Sequence, residues 1–318
     1  MEAKYKILEK IDEGSFGDIF TLQSLNGGIV FALKQIEYRG NLLKDEYIVG
    51  EIECLTKLKH DHIIGLKDVY IGSNTVNLIL EYAENGNLEN YLRERFPMKG
   101  IFLRRFGVQI LKAIDFCHSC GIAHRDLTPS NVLVTADHVI KLADFGLAVC
   151  AVSSKGEEVM CEDYLGNVPY LAPEVLKEVP YNALMADLWS TGMLLYYLLF
   201  GKVLLHGTAE TVLQDSEEVA ALLCSIDSTS FSRTEKNIFE YIKNLLKCLP
   251  EERTSIGTLL LGTMQDHSEA KMAIRPSRDL VCGMVEAMSD YSETKMATRP
   301  SHDIVNGMVA CGSALRQV

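Results

Sequence analysis

The sequence predicts an α+β fold in two unequal lobes: a small antiparallel sheet carrying one helix, then a larger, mainly helical lobe. Three observations lead there. Residues 5–38 alternate short β-like runs with glycine breaks, as at Gly27-Gly28 before Ile29-Val30-Phe31-Ala32-Leu33. Residues 45–59 change to helical spacing, with Ile48, Ile52, Leu55 and Leu58 on one stripe, and two strand-like runs follow near 66–71 and 76–82. From about residue 88 to Leu261 the pattern is largely helical. The join near Ala83–Gly86 is short and polar, as a hinge between lobes is. These changes divide the chain into 1–83, 84–262 and a tail, 263–318.

Composition narrows the function. The 318 residues suffice for two domains or one bilobal unit. Hydrophobic content is 47% and charged content 23%, ordinary for a globular protein. A net charge of −12 argues against a nucleic-acid or anionic-membrane partner and allows a basic peptide. The nine cysteines form no disulfide-like framework and no secretory signal opens the chain, so reduced thiols in the cytoplasm or nucleus are expected. The most apolar run, Leu188–Leu205, is shorter than the roughly 20 apolar residues of a bilayer span and reads as a core helix. Cys117-His118-Ser119-Cys120 with His124 has no second paired-cysteine element to close a zinc site, and reads as a helix end.

The tail carries a tandem repeat. Ser268 to Val281 recurs at 292–305, a period of 24, which is too few copies for a solenoid. It reads as an accessory, partly helical segment and a site for an interaction partner. Arg275-Pro276-Ser277 and Arg299-Pro300-Ser301 stand in the two copies as docking or autophosphorylation sites, or as an idle duplication.

The chemistry concentrates in His124-Arg125-Asp126-Leu127-Thr128-Pro129-Ser130-Asn131, read with Asp144-Phe145-Gly146. Two aspartates and an asparagine stand at the spacing that phosphoryl transfer from a magnesium nucleotide requires. This resembles the catalytic and metal-binding loops of the protein kinase family, of serine/threonine type because Pro129 matches the D-L-x-P-x-N form. The resemblance covers roughly residues 5–261 and implies a bilobal protein kinase-like fold with Mg-ATP in the cleft and a protein substrate across the larger lobe. It implies Asp126 as the base toward the substrate hydroxyl, with Asn131 and Asp144 as oxygen ligands of Mg²⁺. His124 is expected to be structural, Phe145 to pack between the lobes and Gly146 to permit the turn.

Further matches extend the likeness. Gly14-Ser15-Phe16-Gly17 follows a strand-like run, resembling a glycine loop over phosphates, with Asp12 in place of the first glycine. Phe31-Ala32-Leu33-Lys34 resembles V-A-I-K, so Lys34 is expected to hold phosphates and to pair with a helix glutamate. Of Glu46, Glu51 and Glu53, Glu51 fits best, since residues 51–60 match E-I-x-x-L-x-x-L-x-H. Leu78 to Ala83 resembles the adenine-binding strand and hinge, with Leu80 at the back and backbone groups of Glu81 and Ala83 on the base. Ile11, Ile19, Ala32 and Leu133 complete the implied nucleotide site.

Ala172-Pro173-Glu174 resembles the end of an activation segment, and Asp187-Leu188-Trp189-Ser190-Thr191-Gly192 the helix whose aspartate braces the catalytic loop. Arg253 resembles the late arginine that pairs with the glutamate of A-P-E. Three positions depart from the pattern. Thr128 replaces a common lysine, as in some polo-like and NIMA-related kinases; Asn167 replaces a threonine; Asp12 replaces a glycine. With Asn87 after the hinge, strict arginine-directed specificity is not expected. Asp163, nine residues before Ala172, is expected to supply Arg125 with a permanent charge where relatives carry a phosphate. The reading is an ATP-dependent serine/threonine protein kinase. The alternative is a nucleotide-binding pseudokinase scaffold, favoured by the three departures and opposed by Lys34, Asp126, Asn131 and Asp144.

Overall fold

The computed structural model describes residues 1–265 apart from 2–3, 15–16, 43–44, 99 and 154. Both copies of the tail repeat lie outside the described residues, so the expectations placed on them are not met with structure.

Five strands, β1 (Tyr5–Gly14), β2 (Gly17–Ser24), β3 (Val30–Glu37), β4 (Leu66–Ile71) and β5 (Thr75–Glu81), form one antiparallel sheet in the order β1-β2-β3-β5-β4. Its two faces follow from the two-residue period of a strand. Leu33 stands opposite Ile79, and both join Tyr5 and Leu22 in a small cluster. On the other face, Ile36 opposite Val76, with Leu78, shares the main core with Ile48, Leu55 and Leu58 of the helix α1 (Glu46–Lys57) and its C-terminal end. Lys34, opposite Leu78, emerges on that same side and is therefore aimed beneath the sheet rather than into solvent.

The Asp45 carboxylate caps α1 by accepting from the Ile48 N–H at 3.2 Å, while Glu46 and Lys57 complement the helix dipole at either end. Of the apolar stripe expected from spacing, Ile48, Leu55 and Leu58 are buried. Glu51 and Cys54 are buried with them, while Ile52 is half-buried at the rim. The helix turns Glu51 inward because Lys34 lies there to receive it.

The larger lobe is mainly helical: α2 (Leu88–Arg95), α3 (Gly100–Ser119), α4 (Pro173–Leu176), α5 (Ala183–Phe200), α6 (Ala209–Ser225), α7 (Arg233–Leu245) and α8 (Ile256–Gln265). Three short strand pairs interrupt the expected helical pattern. They are β6 (Ile122–Ala123) with β9 (Val149–Cys150), β7 (Val132–Val134) with β8 (Ile140–Leu142), and β10 (Met160–Cys161) with β11 (Tyr181–Asn182). At two or three residues each, they are too short to leave a period in the sequence, yet they hold the loops that carry the chemistry.

Helix α5 organises this lobe. Asn182 caps it by accepting from the N–H groups of Leu184 and Met185, and Gly201, at φ 67°, closes it in the left-handed conformation. It is long and apolar enough to cross a membrane, but most of it is buried inside the protein, with Trp189 fully enclosed. The apolar run is thus a core helix, as expected, though it begins at Ala183. Gly192 lets α5 approach the end of α7: a Cβ there would lie 2.7 Å from Leu246 and 3.1 Å from Leu245.

Candidate active site

A cleft of about 1000 Å³ lies between the sheet and the helical lobe. That volume is in the range of nucleotide-sized pockets. The sheet contributes Ile11, Gly17, Ile19, Ala32 and Lys34; β5 and the segment after it contribute Leu80, Glu81 and Ala83; the floor holds Asp126, Asn131, Leu133 and Asp144. Glu51 enters from α1. Residues far apart in the chain thus meet in one space. Gly14 pairs with Gly17 where β1 turns into β2 and is not among the lining residues, and Ser15 lies outside the described residues. Gly17 has a physical reason to be glycine: at φ 132°, a Cβ would sit 2.2 Å from the Gln35 carbonyl oxygen.

Lys34 is the electrostatic centre. Its Nζ donates to Glu51 Oε1 at 2.6 Å and to Asp144 Oδ1 at 2.8 Å. Burial pulls the ammonium pKa down, but the charges and hydrogen bonds of the two carboxylates outweigh that pull and leave it above its ordinary value. Lys34 therefore stays charged. The other glutamates lie elsewhere: Glu46 is exposed in the first turn of α1, and Glu53 stands 4.0 Å from Lys57.

On the hinge side, the Glu81 N–H donates to the Gly65 carbonyl at 2.8 Å, so the expected base contact of Glu81 falls to its carbonyl. The Glu81 side chain is held by Lys141 at 2.9 Å. Ala83 accepts from the Gly86 N–H at 3.1 Å, while its own N–H, at a buried cleft-lining residue, meets no acceptor among the described residues. A buried backbone donor left open in this way fits a ring nitrogen of a bound base.

The catalytic loop is braced from below. Asp187, 1% exposed, accepts from the backbone N–H of His124 at 2.7 Å and of Arg125 at 2.9 Å, and its Oδ2 also accepts from His118 Nε2 at 3.0 Å. Arg125 is thereby held at φ 64°, a costly conformation for a side chain of its size. His124 Nε2 donates to the Ala143 carbonyl at 3.0 Å and its Nδ1 accepts from the Asp126 N–H at 3.2 Å; one neutral tautomer satisfies both. Its ring packs on Phe145, 4.8 Å between centroids, and Phe145 is fully buried. The histidine is therefore structural, as expected.

Asn131 donates to the Asp126 carboxylate at 2.6 Å and to the Asp126 carbonyl at 2.9 Å. Burial raises the Asp126 carboxyl above its ordinary value, against the opposing pull of neighbouring His124 and of Asn131. With its NH₂ spent on Asp126, Asn131 keeps its side-chain oxygen without a partner among the described residues. That oxygen and the Asp144 carboxylate form a donor set suited to a hard cation that completes its shell with phosphate oxygens and water. Pro129 opens the short turn 129–131 that sets Asn131 in place.

One expectation is corrected. The left-handed residue of the metal loop is Asp144, at φ 63°, and not Gly146. Aspartate tolerates that region, so the glycine is not what permits the turn. Asn167 makes no side-chain hydrogen bond among the described residues and does not bridge to Asp126, though it lines the cleft. Thr128 is 2% exposed and its hydroxyl bonds that of Ser130 at 2.8 Å, so nothing cationic takes the place of the common lysine.

Arg125 meets Asp163. Its Nη1 donates to the Asp163 carboxylate at 2.9 Å, and its Nε donates to the Leu147 carbonyl at 2.7 Å. The hydrogen bond from Arg125 holds the Asp163 carboxyl below its ordinary value, and Tyr181 donates to the Asp163 carbonyl at 3.1 Å. Gly166 follows, with its Cβ position 2.9 Å from the Arg125 carbonyl, so only glycine lets the segment lie this close to the catalytic loop. Arg253 grips Glu174 through two bonds of 2.6 and 2.7 Å and also donates to the Met185 and Lys247 carbonyls. Sequence reasoning did not find Tyr47, Asn90 or Leu147 in the cleft wall, because single residues in unrelated elements carry no spacing.

With this geometry in hand, the comparisons are direct. The chain belongs to the protein kinase domain family, whose model matches residues 5–263. It is 34% identical to NUAK family SNF1-like kinase 2 of Rattus norvegicus over 226 residues, 70% of this chain and 34% of that protein. It is 32% identical to CBL-interacting protein kinase 11 of Oryza sativa subsp. japonica over 263 residues, 82% of this chain and 51% of that one. It is 28% identical to the sperm motility kinase Tcr mutant form of Mus musculus, over 86% of this chain and 56% of the relative. The chain thus spans about a third to a half of the length of these curated relatives.

Proposed function

We propose that the chain is an ATP-dependent protein kinase that transfers the γ-phosphate of Mg-ATP to serine or threonine hydroxyls of protein substrates. The observation that carries this is the convergence of Lys34, Glu51, Asp144, Asn131 and Asp126 on one cleft, with Lys34 bonded to both carboxylates. Phosphoryl transfer asks little covalent chemistry of a protein and much positioning and charge. Lys34, kept charged by its partners, offers a fixed ammonium to phosphate oxygens. The Ala83 N–H and the apolar walls from Ile19, Ala32 and Leu133 orient the base. Asn131 and Asp144 would hold magnesium, which when bound neutralises charge on the phosphates. Asp126, oriented by Asn131, aims the acceptor hydroxyl and takes its proton.

The test is transfer of labelled γ-phosphate from Mg-ATP to a mixed serine, threonine and tyrosine peptide library. The expected outcome is product on serine and threonine, reduced at least a hundredfold in Asp126→Asn. Absence of transfer from a folded protein that still binds nucleotide would sink the proposal.

A further inference from the structure

Beside Asp126 the cleft wall changes from charged groups to neutral amides. Asn87 and Asn90, at the start of α2, and Asn167, directly after Gly166, line the same cleft as Asp126. The backbone fixes where they stand. Asn87 bridges to Leu133, two residues past Asn131, and α2 packs against the turn 129–131. Asn167 follows Gly166, which lies against the Arg125 carbonyl just before Asp126. The α2 amides therefore approach the catalytic loop from its Asn131 end and Asn167 from its Arg125 end.

Each amide keeps hydrogen-bonding capacity open. Asn87 Oδ1 accepts from the Asn90 N–H at 2.9 Å, which leaves its NH₂ without a partner among the described residues. The side chains of Asn90 and Asn167 have no hydrogen-bond partner there either. Most other charges of the cleft are already spent. Lys34 is held by Glu51 and Asp144, Glu81 by Lys141, and Glu84 accepts from the Ala136 N–H at 2.8 Å. Asp12 belongs to β1, in the other lobe. Glu89, between the two α2 asparagines in sequence, is answered by Arg93 at 3.5 Å.

A side chain of an acceptor peptide that enters this wall exchanges water for these groups. An arginine there gives up hydration to meet a carboxylate, Asp126, that Asn131 already holds and that serves the acceptor hydroxyl. A glutamate faces the charge of Asp126 itself. An amide finds complementary donors and acceptors on the asparagines.

We propose that Asn87, Asn90 and Asn167 select acceptor peptides in which neutral polar residues, glutamine or asparagine above all, flank the serine or threonine. The proposal rests on the kinase reading above and names the substrate class of that site.

The experiment uses the full chain with Mg-ATP and a positional peptide library. Glutamine, asparagine, alanine, arginine or glutamate is fixed in turn at each position around a central serine. Glutamine or asparagine is expected to raise kcat/KM about fivefold over alanine at one position or more, the order of one hydrogen bond, while arginine gives no gain. The variant Asn90→Asp/Asn167→Asp keeps side-chain shape at two exposed positions and adds two charges. In it, arginine peptides should gain about fivefold, through peptide KM and not through KM for ATP. Arginine preferred by the unsubstituted chain, or alanine accepted as well as glutamine, overturns the proposal and leaves the kinase reading intact. Unchanged selection in the double variant overturns the assignment to these asparagines. Transfer to no peptide overturns both readings.

Discussion

At the scale of residues, Asp163 is where one carboxylate does most. Arg125 is buried, carries a fixed charge, and is held in a left-handed backbone conformation directly before Asp126. Without an anion its guanidinium would lack a counter-charge there, and the loop would lose a brace. Asp163 supplies that anion at 2.9 Å without modification. Because its side chain is about half exposed (48%), the pair adds little to global stability; its effect is on aim. Asp163→Asn is therefore expected to lower kcat of the phosphatase-treated protein about tenfold, the order of one charge-assisted bond, with a melting temperature almost unchanged. Equal turnover in the two proteins would remove Asp163 from the mechanism. This pairing was legible because an acid stood at a fixed distance before Ala172. So were Lys34, Glu51, Asp126, Asn131 and Asp144, since phosphate and magnesium chemistry restricts each position to very few side chains. The left-handed Asp144 and the unbonded Asn167 were not legible: both depend on torsion angles that neighbouring loops impose.

Among elements, the turn from α1 to β4 joins the lobes and carries a pH response. His60 stacks on Phe116 of α3, 4.9 Å between centroids, and His62 sits edge-on to His60 at 5.4 Å. Burial, reinforced by His60 and Lys112 and opposed by the Ile140 backbone and Asp61, pulls the His62 imidazole down to about 4. The folded chain therefore refuses a proton that the unfolded chain accepts near pH 6.5. Stability is full above that value and declines as pH falls from about 6.5 toward 4. With its edge partly exposed, His62 accounts for about 1–2 kcal/mol of that decline. Urea unfolding at pH 7 and pH 5 should show a smaller loss in His62→Phe than in the unsubstituted protein; equal losses would assign the response to other groups. The sequence placed α1 correctly, with Ile48, Leu55 and Leu58 in the core and Glu51 toward Lys34; Ile52 alone sits less deep than its spacing implies. Ile52 and Glu51 are one residue apart, and apolar spacing alone chose the isoleucine, whereas Lys34 chose the glutamate.

Across the whole molecule, the segment that borders the cleft is anchored to the helical lobe through Arg253. Its guanidinium binds Glu174 at one end of that segment, reaches the Met185 carbonyl in α5 and the Lys247 carbonyl after α7, and lies 5.4 Å from the Trp189 ring. Three elements distant in sequence thus share one buried cation, and removing it leaves the Glu174 carboxylate largely enclosed without a partner. Arg253→Met is expected to cost about 3–5 kcal/mol in denaturant unfolding, the range for breaking a buried pair from one side. Glu174→Leu in the same background removes the stranded charge and should restore a large part of that stability. Activity should not return with it, because the segment would then pack by apolar contact without the directional grip that fixes Gly166 over the Arg125 carbonyl. A double variant that regains both stability and turnover would show that Arg253 serves folding alone. A double variant as unstable as Arg253→Met would instead place the loss on the carbonyls of Met185 and Lys247, which no substitution at Glu174 can satisfy.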